Sequence, residues 1–377
     1  MNTIAQIFLQ VKCKNTGLQE KNLLSLSYGK VKRKSIDTVE GLLPESFDGY
    51  NIIEKDDIVL RLTDLQNDHT SLRVGLAEER GIITSAYLTI RNRSNFCPKY
   101  LYYYLHSFDI AKGFYGMGAG VRQGLNWDGV KWLKILAPSV PEQERIAAFL
   151  DAECAEIDAV LEKTRASIEE YKKLKQAIIT QAVTKGIRSD RPMKDSGIEW
   201  IGDIPAEWDY TKAKNCVNIQ NGSDPKTEGS IPVYGSGASS FKTCGEYKEG
   251  PSVLIGRKGA TLHIPHYIST KFWNVDTAFN VYAKPNFDLK FYFYCACSFD
   301  YRFYISQTTL PSMTQTAYEN MFLPLPSNDE QRAIASYLDN RCEEIDALIW
   351  KKQECLVEIE NYKKSLIYEY VTGKREV

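Results

Sequence analysis

The chain has 377 residues, of which 43% are hydrophobic and 25% are charged, and its formal net charge is −1. These proportions are typical of a water-soluble globular protein of two or three domains, and no apolar run is long enough to span a membrane. Met1–Gln10 lacks the features of a secretory signal, so we expect a cytoplasmic protein whose nine cysteines are reduced thiols rather than a disulfide framework.

The net charge averages regions of unlike charge. Residues 1–140 hold 18 Lys and Arg against 14 Asp and Glu, whereas residues 327–377 hold 8 against 11. Contact with a phosphate backbone requires only a local cluster of positive charge. The overall balance therefore does not exclude nucleic acid as a partner.

The first predicted strand covers Leu24–Tyr28, where apolar residues alternate with serines and Gly29 marks the end. A strand followed by charged residues is typical of a solvent-exposed sheet edge, where the charges prevent pairing with a strand of another chain. A run of positive side chains also fits contact with phosphate, and the sequence alone leaves both interpretations open. The basic residues of this run are Lys30, Lys32, Arg33 and Lys34.

A second strand is predicted over Asp57–Thr63, and a polar loop follows over Asp64–Thr70. Asp64, Gln66 and Asn67 are side chains that can read base edges, because carboxylates accept from cytosine and amides pair with adenine. Surface loops are generally rich in these residue types, so base reading by this loop is a hypothesis.

Gly81–Ile90 predicts a further strand, and the aromatic stretch Tyr100–His106 predicts a helix against the sheet. The segment Gly116–Gly120 does not follow a strand and open a helix, so it lacks the context of a nucleotide-binding loop. It lies beside Arg122 and Gln123, and we expect its flexible backbone to approach another polymer closely.

Two stretches, Glu142–Thr184 and Glu330–Thr372, match one another at a constant offset of 188 residues without a gap. Both carry Glu-Gln, Ile-Ala, Leu-Asp and Glu-Ile-Asp-Ala at equivalent positions. Apolar residues recur at alternating spacings of four and three, which is the pattern of a coiled-coil seam. Neither stretch contains Gly or Pro, so each predicts one helix of about 65 Å at about 1.5 Å per residue.

We expect the two helices to pack on each other rather than on separate domains. The chain leaves the first helix near Gly186 and enters the second near Asn328. Because domain termini usually lie close together, the second helix is expected to run back along the first. The predicted helix-pair interface consists of Leu150, Ile157, Leu161, Ile168, Ile178, Leu338, Ile345, Ile349, Leu356, Ile359 and Leu366.

The chain after the first helix begins with a polar linker and then the segment Met193–Trp208, which we interpret as a non-helical arm. Trp200 and Trp208 are the expected anchors of this arm. The first globular block begins at Met1 without such a segment, so either the gene start is shortened or this arm is dispensable there.

Two strands of the second block, Ile231–Ala238 and Ser252–Gly259, run into glycine turns. Arg257 and Lys258 lie on the second of these turns. The turn exposes both charges, and the flanking glycines leave its backbone without bulky side chains. This arrangement favours contact with phosphate or guanine.

Signatures of several enzyme classes are absent from the sequence. There is no P-loop motif, and no Pro-Pro pair as in the Asn-Pro-Pro-aromatic signature of amino-methyltransferases. His263 and His266 lack further ligands for a metal site. A nuclease-like set of carboxylates with a lysine is also present, formed by Asp224, Glu246 and Lys248. Such triplets arise by chance in a chain with this many charged residues. We therefore predict no catalytic and no metal-binding residues.

The duplicated helix motif, together with Ser196–Trp208, Ile231–Ala238 and Leu254–Gly259, resembles the specificity subunits of type I restriction-modification systems. The resemblance covers nearly the whole chain. It implies an α+β fold in which two similar α/β target-recognition domains are separated by two long helices that pack as an antiparallel coiled coil. The expected boundaries are 1–140 for the first domain, 141–186 for the first helix, 187–326 for the arm and second domain, and 327–377 for the second helix.

The resemblance also implies that each domain reads one half of a bipartite DNA site, while the helix pair sets the spacer and docks two methyltransferase subunits. Restriction and translocase subunits would join this core. S-adenosylmethionine, ATP and Mg would then be bound by partner subunits, and this chain would be non-catalytic. A self-contained methyltransferase or nuclease, and a coiled-coil scaffold that does not bind DNA, are the alternatives. The predicted DNA-binding residues are Lys30, Lys32, Arg33, Lys34, Arg61, Asp64, Gln66, Asn67, Arg122, Gln123, Tyr234, Arg257 and Lys258.

Overall fold

The computed structural model describes residues 1–35, 46–65, 72–118, 124–237, 239–301, 304 and 311–377, and it combines helices with mostly antiparallel sheets. The chain forms two compact units. Unit 1 consists of Met1–Thr164 and Glu354–Val377, and unit 2 consists of Arg165–Gln353. The predicted α+β class is confirmed.

Long segments with no Gly or Pro beyond the first turn form two long helices, and short helices accompany the sheets. The helices of the described residues are α1 (Ile4–Ile7), α2 (Pro98–Ile110), α3 (Trp127–Val130), α4 (Val140–Lys185), α5 (Ala213–Cys216), α6 (Leu289–Ser298), α7 (Gln315–Asn320) and α8 (Asn328–Val371). No helix in these parts of the chain is long and apolar enough to cross a membrane.

Unit 1 contains short strands with alternating or continuous apolar residues. They are β1 (Asn2–Thr3), β2 (Phe8–Gln10), β3 (Leu24–Ser27), β4 (Lys30–Arg33), β5 (Asn51–Ile53), β6 (Ile58–Leu60), β7 (Val74–Leu76), β8 (Gly81–Ile83), β9 (Leu88–Asn92) and β10 (Lys134–Ile135). A four-stranded antiparallel sheet has the order β2-β9-β6-β7, and the pairs β1-β10, β3-β4 and β5-β8 surround it.

Unit 2 is built in the same way. Its strands are β11 (Met193–Asp195), β12 (Asp203–Pro205), β13 (Asp209–Lys212), β14 (Val217–Asn221), β15 (Ile231–Tyr234), β16 (Lys242–Cys244), β17 (Ser252–Gly256), β18 (His266–Ile268), β19 (Trp273–Asn274), β20 (Ala278–Ala283) and β21 (Phe322–Leu325). The four-stranded sheet β14-β20-β17-β18 repeats the order of the sheet in unit 1, and a three-stranded sheet β16-β15-β19 lies beside it.

The predicted single strand Gly81–Ile90 is wrong, because the structure divides this segment between β8 and β9, which belong to different sheets. The Thr84 hydroxyl accepts the backbone N–H of Ala86 at 3.3 Å, and the backbone N–H of Tyr87 donates to the Thr84 carbonyl at 3.2 Å. Threonine and serine offer the backbone such local partners in competition with a sheet ladder. A turn therefore interrupts the apolar run.

Within unit 1, the first half of α4 packs antiparallel to the last part of α8. The Phe149 and Tyr370 rings lie 4.6 Å apart, and Lys363 Nζ lies 2.6 Å from Asp158 Oδ1. Residues later in α4 therefore contact residues earlier in α8, which makes the two segments antiparallel. The core of unit 1 includes Leu150, Cys154, Ile157, Leu161, Leu366 and Ile367 from these helices.

The same arrangement recurs within unit 2. Lys175 Nζ lies 2.6 Å from Asp346 Oδ2, and Lys352 Nζ lies 5.7 Å from the centre of the Tyr171 ring. Asp346 and Lys175 are the copies of Asp158 and Lys363 at the 188-residue offset, so both units use one ion pair at equivalent positions. The predicted antiparallel direction holds inside each unit, and coiled-coil packing of the seam stays a prediction.

Burial along the helices follows the predicted seam with one systematic departure. Ile179 is 4% exposed, whereas the predicted Ile178 beside it is only half-buried. A straight α-helix drifts by about 20° per heptad from a strict seven-residue repeat. Four heptads separate Leu150 from Ile178, and the accumulated drift of about 80° approaches the angle of one residue. Of the other predicted interface residues, Leu150, Ile157, Leu161, Ile168, Leu338, Ile345 and Leu366 are buried, and Ile349, Leu356 and Ile359 are half-buried.

Glycines end both long helices, as predicted. Gly186 follows α4 with φ of 75°, and Gly373 follows α8 with φ of 70°. The backbone N–H of Gly186 donates to the Ala182 carbonyl at 3.0 Å. Glycine reaches this left-handed conformation without steric cost, so it closes the last turn of each helix.

Candidate nucleic-acid interface

The turn after β17 carries Arg257 and Lys258 and is fixed at its backbone. The N–H of Arg257 donates to the Thr277 carbonyl at 2.8 Å, and its carbonyl accepts the N–H of Met313 at 2.9 Å. The N–H of Gly259 donates to the Pro311 carbonyl at 3.0 Å. Both basic side chains are half-exposed. The strand end therefore presents two positive charges from a rigid base.

A second loop meets this turn. The Thr261 hydroxyl donates to the Ser236 carbonyl at 2.9 Å, which joins the turn after β17 to the glycine-containing loop after β15. Tyr234 is half-exposed at the end of β15, and Phe241 is exposed at the other end of the loop. The structure thus brings the loop that begins at Tyr234 next to the turn that carries Arg257.

The nuclease-like triplet in unit 2 is not assembled. Lys248 Nζ donates to Oδ1 of Asn274 at 2.8 Å and to Oδ1 of Asn280 at 2.6 Å, and burial lowers its pKa. The Glu246 carboxylate accepts the Thr227 hydroxyl at 2.7 Å, and this bond is the main cause that lowers its pKa to about 2. Each residue holds a different part of the loops, and neither forms a catalytic pair with the exposed Asp224.

The described residues contain no group of three or more His, Cys, Asp or Glu side chains that could hold a metal ion. His263 is exposed, whereas His266 is half-buried and burial lowers its pKa.

In unit 1 the predicted basic run lies on a β-hairpin. Tyr28 and Gly29 have φ of 50° and 72°, so they form the two-residue turn that joins β3 to β4. Lys30 Nζ lies 3.2 Å from Asp158 Oδ2, and Arg33 is paired with the Glu79 carboxylate. Two charges of the run are therefore partly neutralised by neighbouring carboxylates. Lys32 and Lys34 are exposed.

Asp158 holds two basic side chains at once. Burial alone would raise the pKa of this carboxyl, but hydrogen bonds and charge from Lys363 and Lys30 hold the pKa below its usual range. The carboxylate is therefore ionised at neutral pH, and it links the basic hairpin to the helix pair inside unit 1.

Arg73 is a buried arginine that sequence reasoning missed. Its Nη1 donates to the carbonyls of Arg61 at 3.0 Å and Thr63 at 2.7 Å, and its Nη2 donates to the Asp64 carbonyl at 3.3 Å. The guanidinium also lies over the Tyr115 ring at 5.1 Å. Arg73 therefore fixes the backbone that carries the predicted DNA-binding residues Arg61 and Asp64.

Four predicted DNA-binding residues lie outside the described residues. They are Gln66, Asn67, Arg122 and Gln123.

Each unit is attached to its long helices through a duplicated glutamine. Gln143 Oε1 accepts the N–H of Cys97 at 3.0 Å, and its amide donates to the Pro138 carbonyl at 2.9 Å. Gln331 Oε1 accepts the N–H of Asp288 at 2.8 Å, and its amide donates to Pro326 at 2.9 Å. A buried glutamine with these partners orients the first turn of α2 or α6 against the long helix.

A duplicated aspartate makes a second attachment. Asp151 Oδ1 accepts the Tyr103 hydroxyl at 2.9 Å, and Asp339 Oδ1 accepts the Tyr294 hydroxyl at 2.9 Å. Lys99 and Lys290 pair with the same carboxylates. The repetition of the Glu-Gln and Leu-Asp pairs at the 188-residue offset is the sequence signal for these polar contacts.

Comparison with known proteins shows which family the chain is similar to. Residues 205–356 match the family model of the type I restriction modification DNA specificity domain. The chain is 25% identical over 310 residues to the putative type I restriction enzyme MjaX specificity subunit of Methanocaldococcus jannaschii, with 76% of this chain and 70% of the relative covered. It is also 25% identical over 277 residues to the MjaVIII specificity subunit of the same organism, with 65% and 63% covered.

Solved structures share the fold. A chain from a structure of the assembly and conformational transition of a type I R-M system matches with a TM-score of 0.73 at 16% identity, covering 98% of this chain and 96% of that one. The HsdS subunit of Thermoanaerobacter tengcongensis matches with a TM-score of 0.51 at 16% identity, covering 99% and 96%. The family model, the curated relatives and the solved structures agree: residues 205–356 match a type I DNA specificity domain, and the chain is similar in sequence and fold to the specificity subunits of type I restriction-modification systems.

Proposed function

We propose that each unit reads one half of a bipartite, asymmetric DNA site. The observation that supports this proposal is that the two units repeat one sheet order and one pair of helix attachments but differ in their loops. The matching sheets and helix attachments hold the two DNA-reading units in the same way. Their different loops would give the units different base preferences. A site of two different short sequences follows.

We assign different tasks to the charged and the amide side chains. Arginine and lysine contacts with phosphate position a protein on the duplex, whereas side chains at base edges carry the sequence information. In unit 2, Arg257 and Lys258 are suited to positioning, because their backbone is fixed and their side chains are half-exposed. In unit 1 the exposed Lys32 and Lys34 are suited to the same task.

Arg257→Ala is expected to weaken DNA binding several-fold and to reduce the slope of log affinity against log salt by about 0.9, the value for one phosphate contact. Binding is measured by fluorescence anisotropy at several salt concentrations, with the subunit in its methyltransferase complex. Lys214→Ala, which removes an exposed charge on α5 of the same unit, serves as the matched control and should leave the slope unchanged. An unchanged slope for Arg257→Ala would exclude a phosphate contact at this residue.

We further propose that the outer faces of the long helices dock two methyltransferase subunits. Exposed apolar residues occur at equivalent places in both copies of the helix, since Val160 corresponds to Leu348 and Leu174 to Tyr362. Val160 and Tyr362 belong to unit 1, and Leu174 and Leu348 belong to unit 2. Exposed apolar residues in soluble proteins often mark interaction sites when they cluster, and a duplicated pair suits two copies of one partner.

The reaction itself is assigned to partner subunits. We propose that the methyltransferase subunits bind S-adenosylmethionine and flip the target adenine, because a stacked base is out of reach of an active site. ATP and Mg would be bound by the restriction and translocase subunits. The chain would then act without catalytic residues of its own.

Methylation mapping tests the proposed function. When the chain is expressed with its methyltransferase subunit in a host that lacks adenine methylation, we expect sequencing of the modified genome to give a motif of two short sequences separated by an unread spacer. The purified chain alone should transfer no methyl group. Methylation by the chain alone, or an uninterrupted motif, would favour a self-contained enzyme. An absence of salt-dependent DNA binding in the presence of methyltransferase would favour a scaffold.

A further inference from the structure

Each unit has a β-hairpin at the same place in its fold. β3 pairs with β4 in unit 1, and β15 pairs with β16 in unit 2. The first strand of each hairpin has a parallel neighbour, since β15 pairs with β19, and Leu23, directly before β3, bridges to Ile82 of β8. β8 and β19 directly precede β9 and β20, the second strands in the order of the two four-stranded sheets. The two hairpins are therefore equivalent, although their loops differ in length.

An exposed aromatic residue lies in the loop of each hairpin. Tyr28 is 87% exposed in the turn between β3 and β4, and Phe241 is 60% exposed where the loop after β15 enters β16. Lysines accompany both rings. Lys32 is exposed on β4, and Lys242 Nζ lies 5.5 Å from the centre of the Phe241 ring. Single exposed apolar residues are ordinary, but the same placement in two equivalent hairpins of different sequence indicates a shared task.

In each unit the hairpin loop touches the connection that follows the third strand of the sheet. A Cβ atom placed on Gly29, beside Tyr28, would lie 3.0 Å from Cβ of Leu72 in the β6–β7 connection. A Cβ atom placed on Gly259, in the β17–β18 connection, would lie 2.9 Å from Oγ of Ser236 in the hairpin loop. Glycine permits the close approach of the two segments in both units.

Both of these connections begin with an arginine. Leu60 of β6 pairs with the first residue of β9, and Gly256 of β17 pairs with the first residue of β20. Arg61 and Arg257 come next in the chain, and both are half-exposed. Each aromatic ring therefore belongs to a hairpin loop that adjoins a connection whose first residue is a predicted DNA-binding arginine.

We infer that Tyr28 and Phe241 are equivalent DNA contacts, each of which inserts its ring into the groove at the half-site read by its own unit. This inference rests on the proposed function and adds two residues to it. Apolar side chains of DNA-binding proteins pack on thymine methyl groups or wedge between base steps, and such contacts depend on apolar surface rather than charge.

DNA fits these rings better than a partner protein does. Lysine is depleted in protein–protein interfaces, whereas lysines accompany both rings and an arginine begins the adjoining connection in each unit. Positive charge beside an exposed ring attracts the phosphate backbone, which brings the ring to the groove.

Tyr28→Ala and Phe241→Ala are each expected to weaken binding to a duplex that carries the mapped methylation motif by about fivefold or more, the effect of losing about 1 kcal/mol. The slope of log affinity against log salt should not change, because neither ring neutralises a phosphate. Binding is measured by fluorescence anisotropy at several salt concentrations, with the subunit in its methyltransferase complex. Tyr28→Phe and Phe241→Tyr keep the ring and should bind nearly as tightly as the parent.

Trp132→Ala and Tyr247→Ala are the matched controls. Both residues are exposed aromatics with a lysine Nζ over the ring, Lys131 for Trp132 in unit 1 and Lys271 for Tyr247 in unit 2. Trp132 follows α3, and Tyr247 lies beyond the end of β16 that is opposite the hairpin loop. Their loss should leave DNA affinity unchanged.

Duplexes with one half of the motif scrambled assign each ring to a half-site. The loss caused by Tyr28→Ala should persist when one half is scrambled and disappear when the other half is scrambled. Phe241→Ala should show the reverse pattern. Dependence of both substitutions on the same half would overturn the inference.

The remaining outcomes separate this inference from the proposed function. If the parent complex binds the duplex and the alanine variants bind it equally well, the inference fails and the proposed function stands. If the parent complex shows no salt-dependent binding, the proposed function fails and the inference fails with it. Loss of methyltransferase from the variant complexes in native mass spectrometry would identify the rings as protein contacts, and this result would also overturn the inference.

Discussion

Inserting four residues after Thr164 and four after Gln353 is expected to lengthen the spacer of the recognised DNA site by one to two base pairs. Each insertion adds about 6 Å to a helix at about 1.5 Å per residue, and base pairs in duplex DNA are about 3.4 Å apart. The chosen positions are the boundaries between the two units on α4 and α8. A four-residue insertion in a heptad pattern is accommodated by local unwinding.

The spacer is measured by methylation mapping of cells that express the variant with its methyltransferase. Both half-site sequences should be unchanged, because no loop of either unit is altered. A chain with the insertion in α4 alone is the control, and we expect it to lose methylation because the ion pairs Asp158–Lys363 and Lys175–Asp346 cannot both form in register. An unchanged spacer in the double insertion would exclude the helices as the element that sets it.

Arg73→Ala is expected to relax or abolish recognition of one half-site and to destabilise unit 1 by about 3 kcal/mol. The arginine is 0% exposed, and its loss leaves the carbonyls of Arg61, Thr63 and Asp64 without their donor. Each buried polar group that loses its partner costs about 1–3 kcal/mol. The backbone that directly follows β6, residues 61–64, should then lose its fixed conformation.

Two measurements separate these effects. Hydrogen exchange should report lower protection in unit 1 than in unit 2, and methylation mapping should show one half of the motif degraded with the other intact. Arg80→Ala is the matched control, because this arginine is half-exposed and pairs with Glu20 and Glu54 at the surface. Such a pair contributes about 0–1 kcal/mol. An intact motif for Arg73→Ala would show that the loop it holds does not read DNA.

The long helices were predictable from sequence because their signal is repeated over many turns. The predicted Glu142–Thr184 lies within the observed α4, and the glycines at 186 and 373 end the helices where the pattern stops. The remaining error, burial of Ile179 in place of Ile178, comes from the difference between a seven-residue repeat and a straight helix.

The sheets and the candidate interface were less predictable, because they depend on contacts between distant residues. The segment Gly81–Ile90 reads as one apolar run, and only the bonds to Thr84 show the turn within it. Flanking glycines were sufficient to place Arg257 and Lys258 on a turn, and their contact with DNA stays a prediction. Arg73 could not be distinguished from a surface arginine, since three of its acceptors are main-chain carbonyls, which no sequence pattern marks.

The division of the chain between the units affects the order in which the protein can fold during synthesis. Unit 2 is one continuous segment, Arg165–Gln353, whereas unit 1 needs both Met1–Thr164 and Glu354–Val377. Leu366 and Ile367 complete the core around Leu150, so that core stays incomplete until translation has passed α8. Domains usually fold from the N-terminus as they leave the ribosome. Here the domain that is made first is the last that can be finished.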